Sequence, residues 1–241
     1  MTKASLCLII TLLSFGAAGQ TLRWNYPCKP GTECWSALTS VEERQNACQI
    51  TGIDLNTLST EELLLITMEH PFFRSYVLHD SPIDGMGFSL EGFNGYEAFV
   101  ARKDAVETLA EVYTREDFTK VKQMRDSVQI GNYTLKWTGL ELLMTDQKLL
   151  SKISGEEGTI YLKQIHDKLL VKTRLTGFFG GTSFATSALV FYRLAKNLGY
   201  EIPQDILSKE GIDLFEKKLI VTNSSIVTSL LAHFDRFVER H

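Results

Sequence analysis

Three segments of this chain carry the same helix-start signature, and they constrain its fold more than any other feature. Ser40-Val-Glu-Glu43, Ser59-Thr-Glu-Glu62 and Ser154-Gly-Glu-Glu157 each set a serine three residues ahead of a glutamate. In that spacing the serine oxygen accepts from the third amide of a helix, and the glutamate reaches back to the amide of the serine. The paired carboxylates Glu42-Glu43, Glu61-Glu62 and Glu156-Glu157 thereby fall in a first turn, where negative charge complements the helix dipole. They need no acid–base role to explain them.

Apolar spacing extends these starts into helices. After Ser154, the residues Ile160, Leu162, Ile165, Leu169, Leu170 and Val171 recur mostly at three- and four-residue intervals up to about Arg174. Asn223 can cap a last helix with the stripe Ile226, Val227, Leu230, Leu231, Phe234 and Phe237 or Val238. Further helices are expected over 71–78, with Pro71 in the first turn, over 84–93, closed by Asn94-Gly95, and over 103–114, 134–143 and 146–153. Residues 182–198 are apolar on nearly all sides, which predicts a buried central helix stopped by Gly199. Pro203 opens a short helix and 214–219 another. Strand evidence is confined to an imperfect alternation over 121–130, read as a hairpin or an irregular link. The expected fold is all-α, with roughly nine to eleven short helices packed as pairs, either as an α–α superhelix or as an irregular bundle. One helical domain is expected over 20–241, with a soft boundary near 115–132 where polarity rises.

The first nineteen residues read as an export signal. Lys3 precedes an apolar stretch from Leu6 to Phe15, followed by the small residues Gly16-Ala-Ala-Gly19. The apolar run is about half of the roughly 20 residues needed to cross a bilayer, so cleavage after Gly19 or Ala18 is expected rather than anchoring. No later stretch suits a membrane span; 184–194 is too short and carries Arg193. The expected location is secreted, periplasmic or cell-surface. A net charge of −4 argues against a nucleic-acid footprint, which needs a basic patch.

Export makes the cysteine count informative. Removing Cys7 with the leader leaves Cys28, Cys34 and Cys48. Pro30-Gly31 between the first two favours a type II turn that brings them together, so a Cys28–Cys34 bridge is preferred. The alternative is Cys34–Cys48 with Cys28 free. In the preferred pairing Cys48 is left as a buried thiol, the common state of a free cysteine.

Some motifs resemble catalytic ones. Gly180-Gly-Thr-Ser183-Phe-Ala-Thr186 resembles the nucleophile segment of subtilisin-like serine proteases, but Ser187 stands where that family has proline, and its aspartate and histidine segments have no counterpart upstream. A glycine turn and a capped, closely packed helix account for the same residues. His79-Asp80 is similar to the metal-binding pair of HD-type phosphohydrolases, yet Ser81-Pro82 makes it a turn. His166 and His233 fall within predicted helices, at a solvated face or core edge. Asn132-Tyr-Thr134 and Asn223-Ser-Ser225 fit the glycosylation sequon, which matters only in a eukaryotic host.

The N-terminal half resembles a group of secreted helical proteins of unknown function from gut-type anaerobic bacteria. The resemblance rests on Trp35-Ser-Ala-Leu38, Glu42-Glu43, Ala47-Cys48-Gln49-Ile50, Leu58-Ser-Thr-Glu-Glu-Leu63, Phe93-Asn-Gly95 and Arg102-Lys-Asp-Ala105. It implies an exported α-helical protein without an assigned activity, and it favours a buried Cys48. The function expected from all of this is non-enzymatic binding of a protein or peptide partner, with no catalytic residue, cofactor or metal. Two rivals are kept: a hydrolase with Ser183 or Cys48 as nucleophile, and a carrier of a small apolar ligand lined by Phe178, Phe179, Phe184 and Trp137.

Overall fold

The computed structural model describes residues 23–240, so the expected export signal lies outside the described residues. Within them the chain is all-α: thirteen α-helices, ten of seven residues or more, with short 3-10 turns and no strand. All three serine–glutamate boxes form. They start α2 (Val41–Ala47), which follows the short α1 (Glu33–Ala37), then α3 (Thr60–Met68) and, further on, α9 (Gly155–Thr173). Ser59 Oγ accepts from Glu62 N at 3.2 Å while Glu62 Oε2 accepts from Ser59 N at 2.9 Å.

Between α3 and α9 the chain forms α4 (Pro82–Leu90), α5 (Asn94–Ala101), α6 (Ala105–Arg115), α7 (Ser127–Leu143) and α8 (Gln147–Leu150). Three expectations are corrected here. Residues 71–78 form turns ending in a 3-10 helix, Ser75–Leu78, instead of an α-helix. Gly85 lets α4 pack directly on that turn: a Cβ there would stand 2.7 Å from the Tyr76 carbonyl oxygen. Asn94-Gly95 starts α5 rather than closing the helix before it. The left-handed turn falls at Gly92 (φ 65°), and the Asn94 side chain is tied to the Ile50 backbone by bonds of 3.0 and 2.9 Å. Finally, 121–130 forms no hairpin; it is a link, irregular only over 124–126. It spans the end of a 3-10 helix, Phe118–Gln123, and the first turn of α7, where Asp126 accepts from Val128 N at 3.1 Å.

The remaining helices are α10 (Gly181–Asn197), α11 (Gln204–Leu207), α12 (Ile212–Lys218) and α13 (Ser224–Arg240). Central helix α10 is buried on nearly every side, as its composition predicts, and packs on α7, α9, α12 and α13. Phe191 of α10 stacks on Phe234 of α13 at 4.4 Å between centroids. Buried residues from Tyr26 to Phe237 join into one continuous apolar cluster. Residues 23–38 lie ahead of α2 as an arm against α3, where Arg23 pairs with Glu62 at 2.6 Å and the Tyr26 hydroxyl donates to Ile66 O at 2.8 Å.

Candidate functional site

Two features stand out: an open apolar groove and a sealed polar cluster. The groove runs between the N-terminal turns of α10 and α13 and the end of α12, with a volume of about 510 Å³. Phe184, Ala185, Leu219, Val227 and Leu231 line it, while Gly181, Thr182 and Ser224 form the rim. Val221, also in the lining, is 41% exposed. The local sequence explains the opening. Glycines 180 and 181 carry no side chain to fill the space before α10, and α12 ends at Leu219 in a left-handed conformation (φ 54°) that turns the chain away. A non-glycine residue in that region carries backbone strain. Leu219 is held there with its side chain 5% exposed.

The sealed cluster joins four helices. Lys172 of α9 and Glu141 of α7 are both 0% exposed, and the ammonium donates to the carboxylate. Lys172 also donates to Ser187 Oγ of α10 at 3.1 Å. Ser187 in turn donates to Glu141 Oε2 at 3.1 Å, and the Tyr113 hydroxyl of α6 donates to Glu141 Oε1. Phe118 and Phe179 cover the ammonium, their ring centres 5.8 and 5.5 Å away. Burial lowers the Lys172 pKa, with Glu141 opposing that shift. Burial and then Glu141 push the Tyr113 hydroxyl well above the usual tyrosine range. Lysine beside serine is chemistry capable of nucleophilic catalysis. Here the carboxylate takes bonds from all three partners, and Lys172 and Glu141 have no exposed surface. Such a closed network positions helices rather than substrate.

No motif marks this cluster, although the sequence carries a signal for it. Leu162, Ile165, Leu169 and Lys172 continue one stripe at three- and four-residue spacing, so a charge stands on the apolar face of α9. Glu141 likewise follows Thr134, Trp137 and Thr138 on the buried face of α7. A charge inside an apolar stripe calls for a buried partner.

The residues singled out from sequence are dispersed. Cys28 and Cys34 lie at disulfide-bonding distance, 2.09 Å between sulfurs, and Cys48 is a separate buried thiol. Burial pushes the Cys48 thiol up to about 12, away from the thiolate form that nucleophilic chemistry requires. Ser183 is 4% exposed, and its Oγ has no hydrogen-bond partner among the described residues. His79 packs its ring 5.2 Å from Phe88. His166 pairs with Asp235 at 2.7 Å between α9 and α13. Burial lowers the His233 pKa, and its ring contacts Phe191 at 5.6 Å. Asn132 is exposed on α7, whereas Asn223 accepts from Ser225 N at 3.0 Å and starts α13. Of the four rings proposed to line a ligand pocket, Phe179 and Trp137 pack on Phe118 at 5.2 and 6.0 Å, and Phe184 faces the groove. Among the described residues no helix is long and apolar enough to cross a membrane.

The molecule is thus an all-α protein built around one buried helix, with an apolar groove at that helix's N-terminal end. Compared with protein-family models, curated proteins and solved structures, the chain matches none.

Proposed function

We propose that this is an exported, non-enzymatic protein that binds an apolar segment of a protein or peptide partner in the groove between α10 and α13. The observation that carries this reading is the groove itself: about 510 Å³, floored by Phe184, Leu219, Val227 and Leu231, with no charged side chain in its lining. A groove of that character matches the way apolar anchor residues of a peptide are received. The groups that hydrolysis would recruit, Ser183, Ser187 and Cys48, are buried. The near-bonding cysteine pair and the lack of a spanning helix among the described residues are compatible with export.

The test is a peptide library panned on the purified chain, followed by affinity measurements with Val227→Asp and Leu231→Asp. Both residues are partly exposed, so each variant is expected to keep its helical circular dichroism. Enriched peptides rich in apolar residues should lose at least about tenfold in affinity, since each such replacement forfeits on the order of 1.5–3 kcal/mol of apolar contact. Peptides indifferent to both variants would overturn the reading. So would labelling of Ser183 or Cys48 in the native protein by a fluorophosphonate or iodoacetamide probe.

A further inference from the structure

The arm that precedes α2 is anchored through an unusual residue. Tyr26 packs edge-on against His70 at 5.6 Å, and Phe93 at the start of α5 packs on the imidazole at 4.6 Å. His70 is 2% exposed. Its Nδ1 accepts the backbone N–H of Phe72 at 3.2 Å, which requires the neutral ring with its proton on Nε2. Trp24 rests on Tyr26 at 4.5 Å, and Trp35 of the same arm rests on Phe72 at 5.5 Å. The arm therefore seats Trp35 directly on a turn whose geometry depends on an imidazole lone pair, and Trp24 on the Tyr26 ring that packs against that imidazole.

We infer that His70 is an acid-sensitive anchor: protonation of Nδ1 breaks its bond to Phe72 and releases residues 24–38 of the disulfide-bearing arm from α3 and α5. Protonation removes the only acceptor on the ring and points two N–H groups at each other. It also places a cation in an enclosure of aromatic rings and apolar side chains. Burial already holds the His70 pKa down at about 4, against about 6.5 for an exposed histidine.

Two buried titratable neighbours do not duplicate this response. Tyr26 on the arm and Cys48 after α2 both have raised pKa values from burial and stay neutral throughout the acid range. Glu69, at the end of α3, is paired with Lys136, and Lys29 and Arg74 lie beside it. Phe93 and Phe72 contribute rings only. Glu62, held by Arg23 and by the Ser59 cap, has its carboxyl lowered to about 2, so the Arg23 contact persists while His70 titrates. It would act as a tether while the rest of the arm lifts away.

The sign follows from linkage. Docking is fully favoured above about pH 6.5 and is lost as pH falls towards the docked-state value near 4, weakening on the order of 100-fold by pH 4. The uncovered face would be apolar, since Tyr26 of the arm packs on Phe93 and meets Ile66.

The experiment uses the full chain with Trp137→Phe, so that fluorescence reports on Trp24 and Trp35 alone. Between pH 6.5 and 4 a reversible red shift is expected while far-ultraviolet circular dichroism stays constant, and His70→Asn should abolish it. Asn offers an acceptor to Phe72 without titrating. Absence of the shift, its persistence in H70N, or loss of helicity in step with it would each overturn the inference. If H70N does not fold, the imidazole of the otherwise native chain is followed by NMR. A midpoint of 6 or above, or Trp24 indole resonances unmoved through the titration, would equally overturn it.

Discussion

The Lys172 ammonium and the Glu141 carboxylate form an ion pair at the centre of the molecule, both side chains at 0% exposure. Taking two charges out of water is costly, and mutual attraction offsets that cost only when each is fully hydrogen-bonded. Ser187 and Tyr113 complete the bonding of Glu141. Lys172→Met should therefore destabilise the fold by about 3–5 kcal/mol, because it strands a buried carboxylate. Lys172→Met with Glu141→Leu should recover most of that loss. Urea denaturation of the two variants checks it: a double variant no more stable than the single one would contradict this account.

Leu219 sets two effects against each other. Leu219→Gly relieves a left-handed backbone, worth roughly 1–2 kcal/mol. It also deletes a buried leucine, a loss of roughly 2–5 kcal/mol by comparison with large-to-small core changes. Burial wins, so the variant should melt earlier than the native chain, and the groove loses part of its floor. A rise in Tm would mean that strain dominates.

Alkaline pH should unfold the protein early. Burial is the first cause of raised pKa values at Tyr26, Tyr76, Tyr96, Tyr113 and Tyr133, and Cys48 is pushed up to about 12. In the unfolded chain tyrosine ionises near 10 and cysteine near 8.5. Groups with raised folded values contribute stability that is complete below the unfolded pKa and lost as pH rises above it. Lys172 and Lys168, both lowered by burial, work in the opposite sense but are outnumbered. Tm should fall steeply between about pH 9 and 11, where the unfolded groups titrate. Tyrosinate absorbance of the folded protein should lag behind that of the unfolded chain; coincident titrations would refute the burial argument.

Cys28 and Cys34 enclose a short loop, separated by six positions. Chain-entropy reasoning assigns such a cross-link about 2 kcal/mol. Cys28→Ser with Cys34→Ser should lower stability by that amount, while alkylation of the native chain before reduction should leave both cysteines unmodified. Labelling of either one in the unreduced, denatured protein would show that the bridge is absent.

Helix starts were the most legible part of this chain because they are local. Ser59 and Glu62 find each other within one turn whatever the rest of the molecule does, and the boxes at Ser40 and Ser154 behave alike. The apolar run after Gly181 likewise announces its own burial. Misplaced boundaries occurred where a distant partner intervened. Asn94 begins a helix because its amide is occupied by Ile50, 44 positions away. The 3-10 turn over Ser75–Leu78 is compressed beneath α4, where Gly85 permits contact with Tyr76.

By itself the sequence determined that the chain is helical, where most of its helices begin, and that Cys28 prefers Cys34, since each of these depends on residues a few positions apart. Tertiary structure decided which charges lie inside. Lys172 and Glu141 are 31 positions apart, and only the packing of α7 against α9 and α10 turns two stripe defects into one satisfied pair. It also decided that the ends of α10, α12 and α13 leave a groove and that the arm rests on His70. These features arise from surfaces meeting across the fold, and short-range hydrogen bonding and periodicity carry no information about which surfaces will meet.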